Sequence, residues 1–96
     1  MSFTVLVSEK AEDQATAAFE YLEAQRQGLG RRFIDDFYSI LDQIEANPKT
    51  FQKIKGETRR AIIRPFSYSV FFQIRQPEII LVAEILHHAA NSDRWP

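Results

Sequence analysis

Residues 59–95 read RRAIIRPFSYSVFFQIRQPEIILVAEILHHAANSDRW, and this stretch decides the fold because it holds three strand-like runs and two turn signals in 37 residues. Arg60, Ile62 and Arg64 alternate with Arg59, Ala61 and Ile63, the two-residue period of a strand whose successive side chains point to opposite faces. Pro65-Phe66-Ser67 reads as a turn. Tyr68, Val70, Phe72 and Ile74 then alternate with Ser69, Phe71, Gln73 and Arg75, and Gln76-Pro77-Glu78 turns the chain again. The run Ile79 to His88 is apolar on both faces, which predicts a strand in the middle of the sheet.

Upstream, Phe3, Val5 and Val7 alternate with Thr4, Leu6 and Ser8 and predict one more short strand. Ser8 suits a helix N-cap, with Glu9, Glu12 and Asp13 placed where the positive end of a helix favours acids. Ala11, Ala15, Ala18, Phe19 and Leu22 keep the spacing of one helical face, and Gly28 and Gly30 are read as ending that helix. A second helix is expected from about Arg31 to Glu45, with Phe33, Phe37, Ile40, Leu41 and Ile44 as its stripe, stopped by Asn47-Pro48. Two amphipathic helices joined by a glycine turn must lay their apolar faces on something, and a sheet is what remains. The expected fold is α+β in the order β-α-α-β-β-β, a helical hairpin packed on a small, mostly antiparallel sheet, with residues 1–96 forming one domain.

Charge is unevenly placed along the chain. The net charge is −1, yet residues 9–47 carry nine acids and four bases while residues 49–75 carry seven bases and one acid, Glu57. Such asymmetry favours a site for an acidic partner on the later half. With no cysteine, disulfides and thiolate metal sites are excluded. No leader is visible, and the run Ile79 to Leu86, broken by Glu84, is far below the roughly 20 residues of a membrane span, so a cytoplasmic protein without membrane contact is expected.

Arg59, Arg60 and Arg64, following Lys53 and Lys55, place five cations on a loop and an edge strand. They suit contacts to carboxylates or phosphates, and equally suit the plain task of keeping a strand edge in solution. Tyr68, Phe71 and Phe72 favour packing over base stacking, because Val70 and Ile74 share a face with Tyr68 and Phe72. His87 and His88 are adjacent on a strand and point apart, so a shared metal ion is disfavoured. Trp95 is either a plug that docks the tail or an anchor for a partner. No nucleophile system and no phosphate loop occurs, and no cofactor is expected.

Ala11 and Asp13, Tyr21, Gly28 to Phe33, Asn47-Pro48, Arg60, Pro65-Phe66-Ser67-Tyr68, and His87 with Trp95 eight residues later form a series that resembles the RelE/ParE toxin superfamily, its ParE branch most closely. The likeness spans almost the whole chain. It implies the toxin of a bacterial type II toxin-antitoxin pair, bound by a cognate antitoxin in a hetero-oligomer. ParE-like members inhibit DNA gyrase by binding it, whereas RelE-like members cut messenger RNA in the ribosome. Of the five ribonuclease positions only Arg60 is kept; the others fall on Ile62, Ser69, near Ala90 and near Trp95. One cation cannot both clamp a phosphate and balance charge developing in the reaction. The expectation is therefore a non-enzymatic gyrase inhibitor that contacts protein partners through Arg59, Arg60, Arg64, Tyr68, His87, His88, Arg94 and Trp95, with no sequence-specific nucleic acid binding. A ribosome-dependent endonuclease, and a member that only binds its antitoxin, are the alternatives. Ser69 and Ala90-Asn91-Ser92 depart from the arginine after the tyrosine and the Arg-Asp-Pro run usual in the ParE branch.

Overall fold

The computed structural model describes residues 3–88. Strand β1 (Thr4–Val7) leads into helices α1 (Glu9–Gln25) and α2 (Leu29–Ala46), and a 3-10 turn (Pro48–Thr50) precedes strands β2 (Lys53–Lys55), β3 (Thr58–Ile63), β4 (Tyr68–Arg75) and β5 (Ile79–His87). The five strands form one sheet in the order β1-β5-β4-β3-β2. The pair β1 and β5 is parallel and the other three pairs are antiparallel. The α+β class, the helical hairpin and the mostly antiparallel sheet match expectation.

Two details differ. The sequence reading has three strands after the helices and the structure has four, because Lys53–Lys55 forms a short strand on β3. The second difference is Gly30, which lies inside α2 and is buried, so the turn between the helices is made by Gly28 alone, in the left-handed conformation at φ +89°. Glu23 near the end of α1 reaches across this turn and accepts from the Gly28 and Gly30 N–H groups, both at 2.9 Å. A carboxylate at these two amides satisfies donors that the first turn of any helix leaves open. Those bonds hold the Glu23 carboxyl below its ordinary value, Gly28 contributing most and Gly30 next.

The helices cover one face of the sheet. Ala11, Ala15, Ala18 and Leu22 of α1 and Phe33, Phe37, Ile40, Leu41 and Ile44 of α2 are buried against Ala61, Ile63, Val70, Phe72, Ile80, Val82 and Ile85. Ser8 caps α1, its Oγ accepting from the Ala11 N–H at 3.0 Å while donating to the Ala83 carbonyl at 3.0 Å. That carbonyl belongs to a bulge. Phe71 pairs with Glu84 and Phe72 with Val82, so Ala83 is an extra residue on β5. The bulge shifts the alternation of β5, and Ile80, Val82 and Ile85 all reach the core in consequence. Where β1 has ended, the Gln14 side chain accepts from the Ile85 N–H at 2.7 Å and closes that edge.

Candidate functional site: a basic sheet face and an open strand edge

Strand β3 distributes its cations to opposite sides. Arg59 shares the helix-facing side with Ala61 and Ile63, and its guanidinium donates to the Phe51 carbonyl at 2.7 Å and the Lys49 carbonyl at 3.3 Å. It straps the 3-10 turn to the sheet. Lys53 pairs with Glu57 at 3.3 Å, an exposed contact of little energetic weight. The sequence reading gathers these cations on one rim; the structure leaves Arg60 and Arg64 as a pair on the face away from the helices and engages Arg59 internally.

Arg60 and Arg64 share their surroundings with His88. The His88 N–H donates to the Ser67 carbonyl at 2.9 Å, which carries its ring past the end of β5. Burial depresses the basicity of the His88 imidazole, and the neighbouring Arg60, His87 and Arg64 add to the effect in that order. The neutral ring is favoured beside two guanidinium groups. Ser69, opposite Ile62 on β3 and Leu86 on β5, is fully buried on this same side, with no hydrogen-bond partner for its Oγ.

Tyr68 and His87 belong to the other side. Their rings meet edge to face at 5.0 Å, and Tyr68 also meets Phe33 of α2 at 5.1 Å, so Tyr68 is partly buried against the core. Burial, with Tyr21 as a lesser contributor, pushes the Tyr68 hydroxyl above its ordinary value. Among the eight predicted contact residues, the structure brings Arg60, Arg64 and His88 together and sets Arg59, Tyr68 and His87 on the helix side. Arg94 and Trp95 lie outside the described residues. Among the described residues no group of three or more His, Cys, Asp or Glu is placed to hold a metal ion, and no helix is long and apolar enough to cross a membrane.

The sequence gives no signal for the groove beside β3. Strand β2 accompanies β3 only as far as Arg60, whose N–H donates to the Gln52 carbonyl at 3.1 Å. In an antiparallel ladder backbone groups alternate between the two neighbours, so the N–H and C=O of Ile62 point the same way as those of Arg60, away from β4. They face a groove of about 530 Å³. Its far wall is α2, with Asp36, Ser39, Ile40 and Gln43, and Phe51 closes one end.

Comparison with known proteins accounts for this arrangement. A family model described as the ParE toxin of the type II toxin-antitoxin system parDE matches residues 5–91. The chain belongs to the ParE toxin family. A comparison with curated proteins finds no match. Among solved structures, the chromosomal ParDE toxin-antitoxin system of P. aeruginosa contains a chain similar to this one, with a TM-score of 0.78 and 10% identity over 88% of this chain and 95% of that one. The E. coli DinJ-YafQ toxin-antitoxin complex is similar at a TM-score of 0.68 and 10% identity, covering 94% of this chain and 97% of that one. A mutant of the E. coli toxin RelE in the free state is similar at a TM-score of 0.70 and 12% identity, covering 96% and 90%. At such identities these likenesses establish the fold, and the family model carries the assignment to ParE toxins.

Proposed function

We propose that this ParE-family chain arrests DNA gyrase by binding it and is neutralised by a cognate antitoxin that covers the same basic face. The family match over residues 5–91 is the observation that carries the reading. The site chemistry supports binding over bond cleavage. Where the ribonuclease branch carries further cations, this chain has Ile62, which is apolar, and Ser69, which is fully buried. Addition of the purified protein at micromolar concentration is expected to inhibit gyrase supercoiling and to raise gyrase-dependent DNA cleavage. If both are untouched, the gyrase reading fails. Antitoxin supplied at equal concentration is expected to restore supercoiling, and a mixture that stays inhibited excludes neutralisation.

A second reading has one observation in its favour. Arg60, Arg64 and a neutral His88 stand on one side of the sheet, and an uncharged imidazole beside guanidinium groups is a competent general base. Primer extension on translated messages after induction distinguishes the two. Codon-linked cuts that vanish in His88→Ala identify a ribonuclease, and an intact transcript pool leaves the gyrase reading alone.

A further inference from the structure

We infer that the groove between α2 and the outer edge of β3 receives an extended segment of a partner, which adds to the sheet as a strand carrying acidic and apolar residues in alternation. This rests on the antitoxin reading above and names the part of that partner the groove fits. The backbone supplies the first requirement. Past Arg60 no described strand lies on β3, and the Ile62 N–H and C=O are turned into the groove. An unpaired strand edge is a template for another strand, and natural proteins that leave one open and uncovered usually do so to bind.

The walls supply the second requirement. Side chains of an added strand alternate between the two faces of the sheet. On one side they would meet Arg60 and Arg64; on the other they would enter the space bounded by Asp36, Ile40, Gln43 and Phe51. Acids fit the first side and are opposed by Asp36 on the second. Apolar residues fit the second side, over Ile40 and Phe51. The complementary segment therefore reads acid, apolar, acid, with the central apolar residue facing α2. A basic or uniformly polar segment satisfies neither wall.

Hydrogen exchange at the Ile62 amide tests this directly, measured by NMR on the full chain alone and with the product of the adjacent open reading frame, the expected antitoxin. Exchange slowed about tenfold or more in the complex is the expected result. A complex that forms while Ile62 exchanges as in the free chain overturns the groove inference and leaves the antitoxin reading standing. An Ile62 amide already protected in the free chain overturns it too, since the edge is then occupied. If no complex forms, the antitoxin reading fails. The groove is then decided with the acidic peptide Ac-Thr-Glu-Val-Glu-Val-Glu-Thr-NH2 and its lysine counterpart. Shifts at Ile62 with the acidic peptide alone support the inference, and equal or absent shifts with the two peptides overturn it. The variant Ile62→Pro deletes the outward N–H without removing a bond to β4, so it is expected to lower affinity about tenfold while leaving the circular dichroism unchanged. Ile62→Val, which keeps the donor, is expected to bind as the parent does. Should the proline variant misfold, the exchange measurement still decides.

Discussion

Gly30 has no room for a side chain. An added Cβ would stand 2.6 Å from the Phe19 carbonyl oxygen of α1, so the two helices meet through bare backbone at this point. Alanine would raise helix propensity by about 1 kcal/mol, but the clash is with backbone and costs about 1–3 kcal/mol. Gly30→Ala is therefore expected to lower the melting temperature despite the better helix former, and an unchanged or raised value would show that the helices can part freely. The glycine pair is conspicuous in the sequence, but only contact geometry separates Gly28, which supplies a turn, from Gly30, which supplies closeness. Glu23 in the same turn sets a pH dependence. Its folded pKa is depressed, so its contribution is present above the ordinary carboxylate value of 4.5 and is lost as pH falls through the lower folded value. In Glu23→Gln that part of the acid sensitivity should disappear, which urea titrations at neutral pH and below pH 4.5 would measure.

At the scale of elements, periodicity carried most of the fold. The stripes of α1 and α2 are clear because Ala, Phe, Leu and Ile recur at helical spacing, and the buried residues of α2 are those the stripe marks. Two features lack such a signal. Strand β2 is only three residues, Lys-Ile-Lys, which is too short for alternation to stand out from a charged loop. The bulge at Ala83 is hidden for a different reason: β5 is apolar on both faces, so a phase shift changes no pattern of polar and apolar residues. Its supports are nevertheless testable. Gln14 accepts from the Ile85 N–H at 2.7 Å, and Gln14→Leu leaves that donor unmade, which is expected to cost about 1–3 kcal/mol in equilibrium unfolding. Ser8→Ala loses both the cap of α1 and the bond to Ala83, with an expected cost of about 1–2 kcal/mol. A near-neutral result for either would mean that packing alone fixes the bulge.

For the molecule as a whole, charge is divided between layers. The two helices bear Glu9, Glu12, Asp13, Glu20, Glu23, Asp35, Asp36, Asp42 and Glu45, whereas Arg60 and Arg64 mark the far side of the sheet. This two-sidedness orients an acidic partner before contact, so the association rate with the antitoxin is expected to fall about tenfold or more between 50 mM and 500 mM salt. Stopped-flow mixing would measure it, and a flat profile would assign the cations to solubility alone. Reversing both arginines in Arg60→Glu with Arg64→Glu should remove most of the salt dependence. The layered charge was legible along the sequence, since acids and bases occupy different segments. Their sorting to faces was not, because Arg59 and Arg60 are neighbours in the chain and the strand sends them apart.

The parallel pairing of β1 with β5 joins Thr4 to Ile79 and Val7 to Val82, so the first strand made has as its partner the last. During synthesis the opening segment waits, unpaired, until almost the whole message has been read. A prematurely terminated product that lacks β5 leaves β1 without a neighbour and β4 with one side bare, and it presents no assembled surface to any target. Harm to the host is thereby confined to translation that runs nearly to its end.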